Sequence, residues 1–227
     1  EILSSRREYT KASPFVVLLA KGNHEVTSSW THPYGHVCQT TLGITRSNIT
    51  FIGQGIGETT ILGGFGIHNK QNITLKQMTV TNTDGFGIVM YGAEVELVDV
   101  ASSNCSRTGI NVRSAASTPS QLVATRCEIS NNGGTGLYIF NSNNNIPFNV
   151  CLKNCISHHN SSAGIYVSGK VIVNVHGNAT AIHSNKYQGI FADYSGKVLL
   201  HLPSHHNTIY NNTQQDRHTS MGGTITN

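Results

Sequence analysis

Asp99, Arg126 and Lys153 fall at neighbouring positions of a repeat that runs through most of the chain. A cation in such a place neutralises a substrate carboxylate. An Arg or Lys beside it can remove the proton α to that carboxylate, the step that opens a β-elimination. The plainer reading of Asp99 and Arg126 is a surface ion pair worth under about 1 kcal/mol. Tyr138, Tyr166 and Phe191 recur at a second equivalent position. Aromatic rings there would take the apolar faces of sugars, with the tyrosine hydroxyls adding hydrogen bonds. The alternative is that the rings steady the sheet, each pair contributing ~0.5 to 1.5 kcal/mol. Among 12 histidines, two copies of Ser-His-His-Asn put His158, His159, His205 and His206 in turns, with His183 in an analogous turn between them. Stacked turns would gather these imidazoles into a metal or acid-sensing cluster. Solvated turn histidines are the plainer reading, and no Cys-x-x-Cys or His-Glu-x-x-His spacing supports zinc.

The elements that position these side chains follow from the repeat itself. Five segments share an Asn, a few polar residues, a Gly and then aliphatic-x-aliphatic: 82–90, 104–112, 131–139, 160–167 and 185–192. Their glycines, Gly87, Gly109, Gly136, Gly164 and Gly189, recur every 22 to 28 residues, and Gly66 is read as the same position in an earlier, weaker copy. After the glycine, the columns Ile88, Ile110, Leu137, Ile165, Ile190 and Met90, Val112, Ile139, Val167, Ala192 are apolar throughout. Between them lie Val89, Asn111, Tyr138, Tyr166 and Phe191, which therefore face outward. Before each glycine runs a second alternating segment, such as Ile73, Leu75, Met78 and Val80. Alternation at period two means strands with one buried face. The gaps are too short for helical crossovers. The spacing predicts an all-β fold, a single-stranded parallel β-helix of about seven to nine coils in which each strand pairs with its equivalent one coil on. The recurring Asn suits left-handed turn positions and coil-to-coil amide ladders. A Greek-key sandwich is the alternative, but tight-hairpin pairs such as the Asp-Gly at 84–85 are too few for it.

Five cysteines allow at most two disulfides. Cys127 and Cys155 share an inward position with Met78 and Val100 and are expected to serve as small core residues, with a bridge between coils as the alternative. Cys151 faces the other way. Only 11% of the 227 residues are charged, against roughly 25% in an ordinary domain. Polarity comes instead from 23 Asn, 23 Gly and abundant Ser and Thr. A net charge of +4 from scattered Lys and Arg argues against a nucleic-acid strip. No apolar run approaches the roughly 18 residues of a membrane span. Six Asn-x-Ser/Thr sequons, at Asn48, Asn72, Asn104, Asn160, Asn178 and Asn211, suit a secreted glycoprotein, extracellular or on a virion surface. Chance occurrence in so Asn-rich a chain is the alternative. The opening Glu1 in place of Met points to a segment upstream.

The stretch NITFIGQGIGETTILGGFGIHNKQNITLKQMTV (48–80), the later Asn-x-x-x-Gly-Ile copies and the lead-in FVVLLAKGNHEV (15–26) together resemble the pectate-lyase-like right-handed parallel β-helix superfamily. The likeness covers about residues 14–212 and implies a right-handed solenoid. That superfamily holds polysaccharide lyases, hydrolases, uronate epimerases, adhesins and non-enzymatic members, so the likeness specifies fold and not function. Its calcium-dependent lyases gather acidic residues around Ca²⁺, which takes about 6 to 8 oxygen ligands. Here Asp occurs only at 84, 99, 193 and 216, in separate coils, so no cofactor is expected and Ca²⁺ lacks its carboxylate cluster. The paired acids of the hydrolases are missing as well. The Asp-Pro-His signature of the epimerases has only THPYGH, at 31–36, as a counterpart. The expected organisation is an N-terminal cap over 1–13, the β-helix over 14–212 and a C-terminal coil or tail over 213–227. The leading expectation is a carbohydrate-facing protein without strong catalysis, binding a polysaccharide or other glycan. A lyase or C5-epimerase of acidic polysaccharide using Asp99, Arg126 and Lys153 is one alternative. A structural module that assembles with a protein partner or itself through the aromatic ladder is the other.

Overall fold

In most of the strands every second side chain is apolar, and the computed structural model, which describes residues 9–115, 118–142, 148–201 and 208–227, buries those side chains inside a coil. Each coil has three faces. In one, Ile88–Tyr91 forms the third face and Glu94–Ser103 then supplies the first and second faces of the next turn, bent at Asp99. Asp99 takes the left-handed conformation with φ of 53°. Gln77, Arg126 and Asn154 bend their coils in the same way, with φ of 55°, 51° and 54°. The inward pattern lengthens to a three-residue step at this corner, as from Leu75 to Met78 and from Leu97 to Val100. One left-handed residue turns the chain while the apolar residues two before and one after it keep pointing inward.

Coil stacks on coil by parallel pairing. Eight strands, from Thr41–Ile44 to Gln215–Thr219, make the third face, and the bent strands join the other two faces into one 15-stranded sheet, giving about seven turns in all. The two apolar columns fall in register, Ile88 to Ile110 to Leu137 to Ile165 to Ile190 and Met90 to Val112 to Ile139 to Val167 to Ala192. None of the ten is more than 2% exposed. Cys127 and Cys155 are buried in the core, Cys151 lies half-buried on the first face, and all five thiols are free. Among the described residues no helix is long and apolar enough to cross a membrane.

The corner between the second and third faces is polar and buried. Asn132, Asn160, Asn185 and Asn212 stack there as an amide ladder. Each Nδ2 donates to the Oδ1 of the next Asn at 2.9 Å, and the last donates to Asp216 Oδ1, also at 2.9 Å. The same amides donate to backbone carbonyls of Ser102, Ile129, Ser157 and Ile182. The ladder passes through Asn132 and not Asn131, because Asn131 is the left-handed residue that precedes it. In the earlier coil Cys105 holds the ladder position beside the left-handed Asn104, and its backbone N–H donates to Asn132 Oδ1 at 3.0 Å. The ladder also explains the repeated glycines. A Cβ on Gly109, Gly136, Gly164 or Gly189 would come within 2.6 to 2.7 Å of the neighbouring ladder amide. Asn160 has no exposed surface, so this sequon is closed to a glycan in the folded chain.

Gly66 does not occupy the anchor position. Phe65 pairs with Ile88, so the anchor is Gly64, and Gly66 pairs with Val89 in the outward column. At the N-terminus, residues 1–8 of the expected cap, with Arg6 and Arg7, lie outside the described residues. Tyr9 packs on Phe15 and its carbonyl accepts from Asn48 Nδ2. Residues 213–227 contribute Gln215–Thr219 to the third face and Thr224–Thr226 to the first. Replacing Asn160 by Leu strips donors and acceptors from both neighbouring ladder amides. A loss of about 1 to 3 kcal/mol is expected for each buried polar group left unpaired, measurable by urea unfolding, whereas Asn131→Ser should leave the midpoint nearly unchanged.

Candidate functional site

The outward side of the third face gathers the aromatic and cationic side chains. Its first outward column runs Gly43, Gly66, Val89, Asn111, Tyr138, Tyr166, Phe191 and His218 in successive coils. The second runs His68, Tyr91, Arg113, Phe140, Ser168 and Asp193. Between the second and third faces of the first coil the chain departs from the repeat. Trp30–Thr31 and Val37–Cys38 pair antiparallel as a small hairpin. This hairpin folds back over the outward column, with the Trp30 indole seated against the bare backbone of Gly43 and Gly66. A Cβ on Gly43 would lie 2.6 Å from the ring, and one on Gly66 would also collide with it.

The hairpin and the third face enclose a cleft of about 660 Å³, lined by His32, Tyr34, His36, Asp84, Tyr91, Arg107, Asn111 and Arg113 among others. Its floor is an imidazole against a phenol. His32 and Tyr91 are both buried, and His32 Nε2 is hydrogen-bonded to Tyr91 Oη. Burial first, and then the charges of Arg113, His36 and His68, hold His32 below the usual histidine range, so its ring is neutral at pH 7. The Tyr34 backbone N–H donates to His32 Nδ1 at 3.0 Å. A neutral ring that accepts at Nδ1 carries its proton on Nε2 and gives it to Tyr91 Oη, which frees the proton of Tyr91 to point toward a ligand. Burial pushes Tyr91 up to about 12, and Arg113 opposes that rise. Any phenolate formed there would therefore be steadied by the His32 N–H and the Arg113 charge.

Arg113 donates through Nε to Asn111 Oδ1 at 3.3 Å and lies over the rings of Tyr138 and Phe140, 5.4 and 5.6 Å from their centroids. Arg107 lies 5.4 Å over Phe86. Among the described residues neither arginine forms a salt bridge, so both present donors to the cleft. Among the described residues Asp84 is the only carboxylate that lines the cleft.

From the cleft the aromatic residues continue along the solenoid. Tyr138 meets Tyr166 edge-on at 5.2 Å, Tyr166 stacks on Phe191 at 4.8 Å and 9°, and Phe191 reaches His218 at 4.9 Å. The register thus brings Tyr138, Tyr166 and Phe191 together, but half-buried and with their faces largely turned to one another. What they offer outward is ring edges and hydroxyls, a narrower surface than the open stacking platform expected from sequence. Tyr166 donates its hydroxyl proton to Asp193 Oδ2 at 3.2 Å, and burial and that carboxylate push Tyr166 up to about 12.

Asp99, Arg126 and Lys153 lie at and beside the corner of the first and second faces, away from this cleft. Arg126 clasps Asp99 in a two-pronged pair, Nε to Oδ1 at 2.6 Å and Nη2 to Oδ2 at 2.7 Å, which holds the Asp99 carboxyl below its ordinary range. Lys153 is exposed one position before that corner, in register with His176. Each partner of the pair spends its charge on the other. On the second face His158, His183 and Tyr210 stack at 5.1 and 4.9 Å, with His159 Nδ1 2.6 Å from His158 Nδ1 and Glu128 3.1 Å from His158 Nε2. His205 and His206 lie outside the described residues. Among the described residues no group of His, Cys, Asp and Glu is arranged to hold a metal ion.

Residues 37–226 match the family model described as a right-handed beta helix region. By structure the chain is similar to the A-module of the Azotobacter vinelandii mannuronan C-5 epimerase AlgE6, at 13% identity over 94% of this chain and 70% of that one, with a TM-score of 0.39. It is similar also to the A-module of AlgE4 from the same organism, at 14% identity over 92% and 87%, with a TM-score of 0.29. No curated protein matches the chain by sequence.

Because Gly66 seats the only Trp of the chain, Gly66→Ala should displace the hairpin. A red shift of Trp30 fluorescence with little change in the unfolding midpoint is expected, and an unshifted spectrum would separate the indole from that seat. Acid should weaken the fold. His32, His68, His176 and His183 are all held below the ordinary 6.5, chiefly by burial. The folded chain then binds fewer protons than the unfolded chain between those depressed values and 6.5. Stability is whole above about pH 6.5 and declines as pH falls through that window. Melting temperatures measured across the window should show this slope, and His183→Gln should reduce it.

Proposed function

This chain belongs to the right-handed beta helix family, and on that premise we propose that its third face binds a glycan chain, with the hairpin-roofed cleft receiving an anionic sugar unit. The observation that carries the reading is the pair of arginines, Arg107 and Arg113, which face one cleft that Asp84 also lines and form no salt bridge among the described residues. A guanidinium matches the planar geometry of a carboxylate with two parallel donors. Aromatic support beneath Arg113 fixes its plane before a ligand arrives. Beyond the cleft, the edges and hydroxyls of Tyr138 and Tyr166 extend the surface along the coil axis, as an elongated ligand requires.

A second reading shares the same cleft. The His32–Tyr91 contact places a phenol with a free proton, backed by a neutral imidazole and flanked by a guanidinium, where a uronate carboxylate would sit. Removal of the proton α to that carboxylate, as in a lyase or C5-epimerase, then requires Tyr91 first to give its own proton to solvent; the phenolate, steadied by the His32 N–H and the Arg113 charge, takes the α-proton as a new O–H bond. In this reading Tyr91 and His32 carry the chemistry in place of Asp99, Arg126 and Lys153.

The test is binding of oligouronates by calorimetry. Arg113→Ala should weaken binding at least about tenfold, the order expected when one charge-assisted bidentate contact is lost, while Arg126→Ala at the far corner should not. Equal binding by wild type and Arg113→Ala would remove the cleft from the function. Under the second reading, polyuronate gains ultraviolet absorbance from an unsaturated product, or changes its proton NMR spectrum on epimerisation. Tyr91→Phe should abolish either signal without abolishing binding.

A further inference from the structure

The third face has opposite hydrogen-bonding character at two points along its length. At the cleft, Arg113 and Arg107 have only donors to offer. Three rungs further along the same column stands Asp193, in register through Phe140 and Ser168. At a rung spacing of about 4.8 Å the separation is about 14 Å. Asp193 is 6% exposed and pairs with no cation among the described residues. Its Oδ1 accepts from the Tyr194 backbone N–H at 2.9 Å and its Oδ2 from the Tyr166 hydroxyl. Since Tyr166 has committed its proton to Asp193, its oxygen can only accept. Phe191 stacks on the Tyr166 ring and holds it in that orientation.

A carboxylate has only lone pairs to offer. At the Tyr166–Asp193 point it would sit beside a negative charge that no cation among the described residues balances. A hydroxyl, ammonium or acetamido N–H would find acceptors. Resting on the glycan reading above, we infer that the third face selects a glycan of mixed composition, with a carboxylate-bearing unit in the cleft and a donor-bearing unit, such as a hexosamine, at Tyr166 and Asp193. A run of consecutive uronates would satisfy the first point and be repelled at the second. Specificity here is therefore set as much by what the Asp193 end refuses as by what the arginines attract.

Calorimetry with oligosaccharides of equal length tests this, using an oligouronate, an alternating uronate–hexosamine and a neutral oligohexose. The alternating chain should bind wild type about tenfold more tightly than the oligouronate. Asp193→Asn, which keeps an acceptor for Tyr194, should bring that ratio close to one by improving the oligouronate. Tyr166→Phe, which keeps the ring, should weaken only the alternating chain, and serves if the Asp193 variant does not fold. The inference is overturned if the oligouronate binds wild type as tightly as the alternating chain, or if neither variant changes the ratio. Should the oligouronate bind best and Arg113→Ala abolish it, the glycan reading stands while the mixed-composition inference falls. Should no sugar bind at all, both fall.

Discussion

The buried amide ladder and the glycines that make room for it set the register on which everything else depends. Apolar columns alone do not distinguish one coil offset from another, because sliding Ile onto Val or Leu costs little. A buried amide that must find both an acceptor above and a carbonyl beside it does distinguish them, since a slipped coil would strand polar groups in the core at about 1 to 3 kcal/mol each. The Asn and the Gly of each repeat are therefore one device in two residues. Asn160 fills the space that a Cβ on Gly136 would take, and Asn185 does the same for Gly164. Where Cys105 interrupts the ladder, the backbone N–H of the same residue still reaches Asn132, and the register persists.

Fixed register turns a sequence repeat into columns of like side chains, and this shapes what the surface can do. Rings in adjacent coils stack on one another, as Tyr166 does on Phe191 and His158 on His183. Stacking of that kind stabilises the solenoid and in doing so uses the ring faces that a sugar would otherwise cover. Charges behave likewise, since Arg126 and Asp99 meet across one rung and neutralise each other. A regular solenoid thus tends to satisfy its own outward groups. Chemistry is left where regularity fails. The hairpin at 30–38 roofs one end of the third face, and beneath it Arg107 and Arg113 stand on aromatic rings and form no salt bridge among the described residues.

Conditions follow the same logic. The histidines that the fold buries, His32 in the cleft and His183 in the second-face stack, both stay neutral because burial and neighbouring positive charge disfavour the imidazolium. Acid therefore acts on the cleft and on the coil stack together, so loss of ligand and loss of stability should be separated by comparing variants at one pH.

The alternation of apolar residues and the recurrence of Asn and Gly determined the parallel coils, the ten core positions and the outward placement of Tyr138, Tyr166 and Phe191, because period two and a shared Gly anchor leave one arrangement that buries every inward side chain. The same pattern could not show that Gly66 belongs to the outward column. Its glycine looks like an anchor until the indole of Trp30 is found resting on it. Nor could it show which Asn of the pair 131–132 enters the ladder, a choice made by one left-handed residue. The cleft was invisible to periodicity alone, since the repeat sets Tyr91 and Arg113 on neighbouring rungs but His32 meets them only when an insertion outside the repeat folds back over it. The signals were present as a long first coil, a Pro-Tyr-Gly turn among histidines and two outward glycines. Only the tertiary structure joined them, because contact between an irregular segment and a regular surface depends on shape and not on spacing.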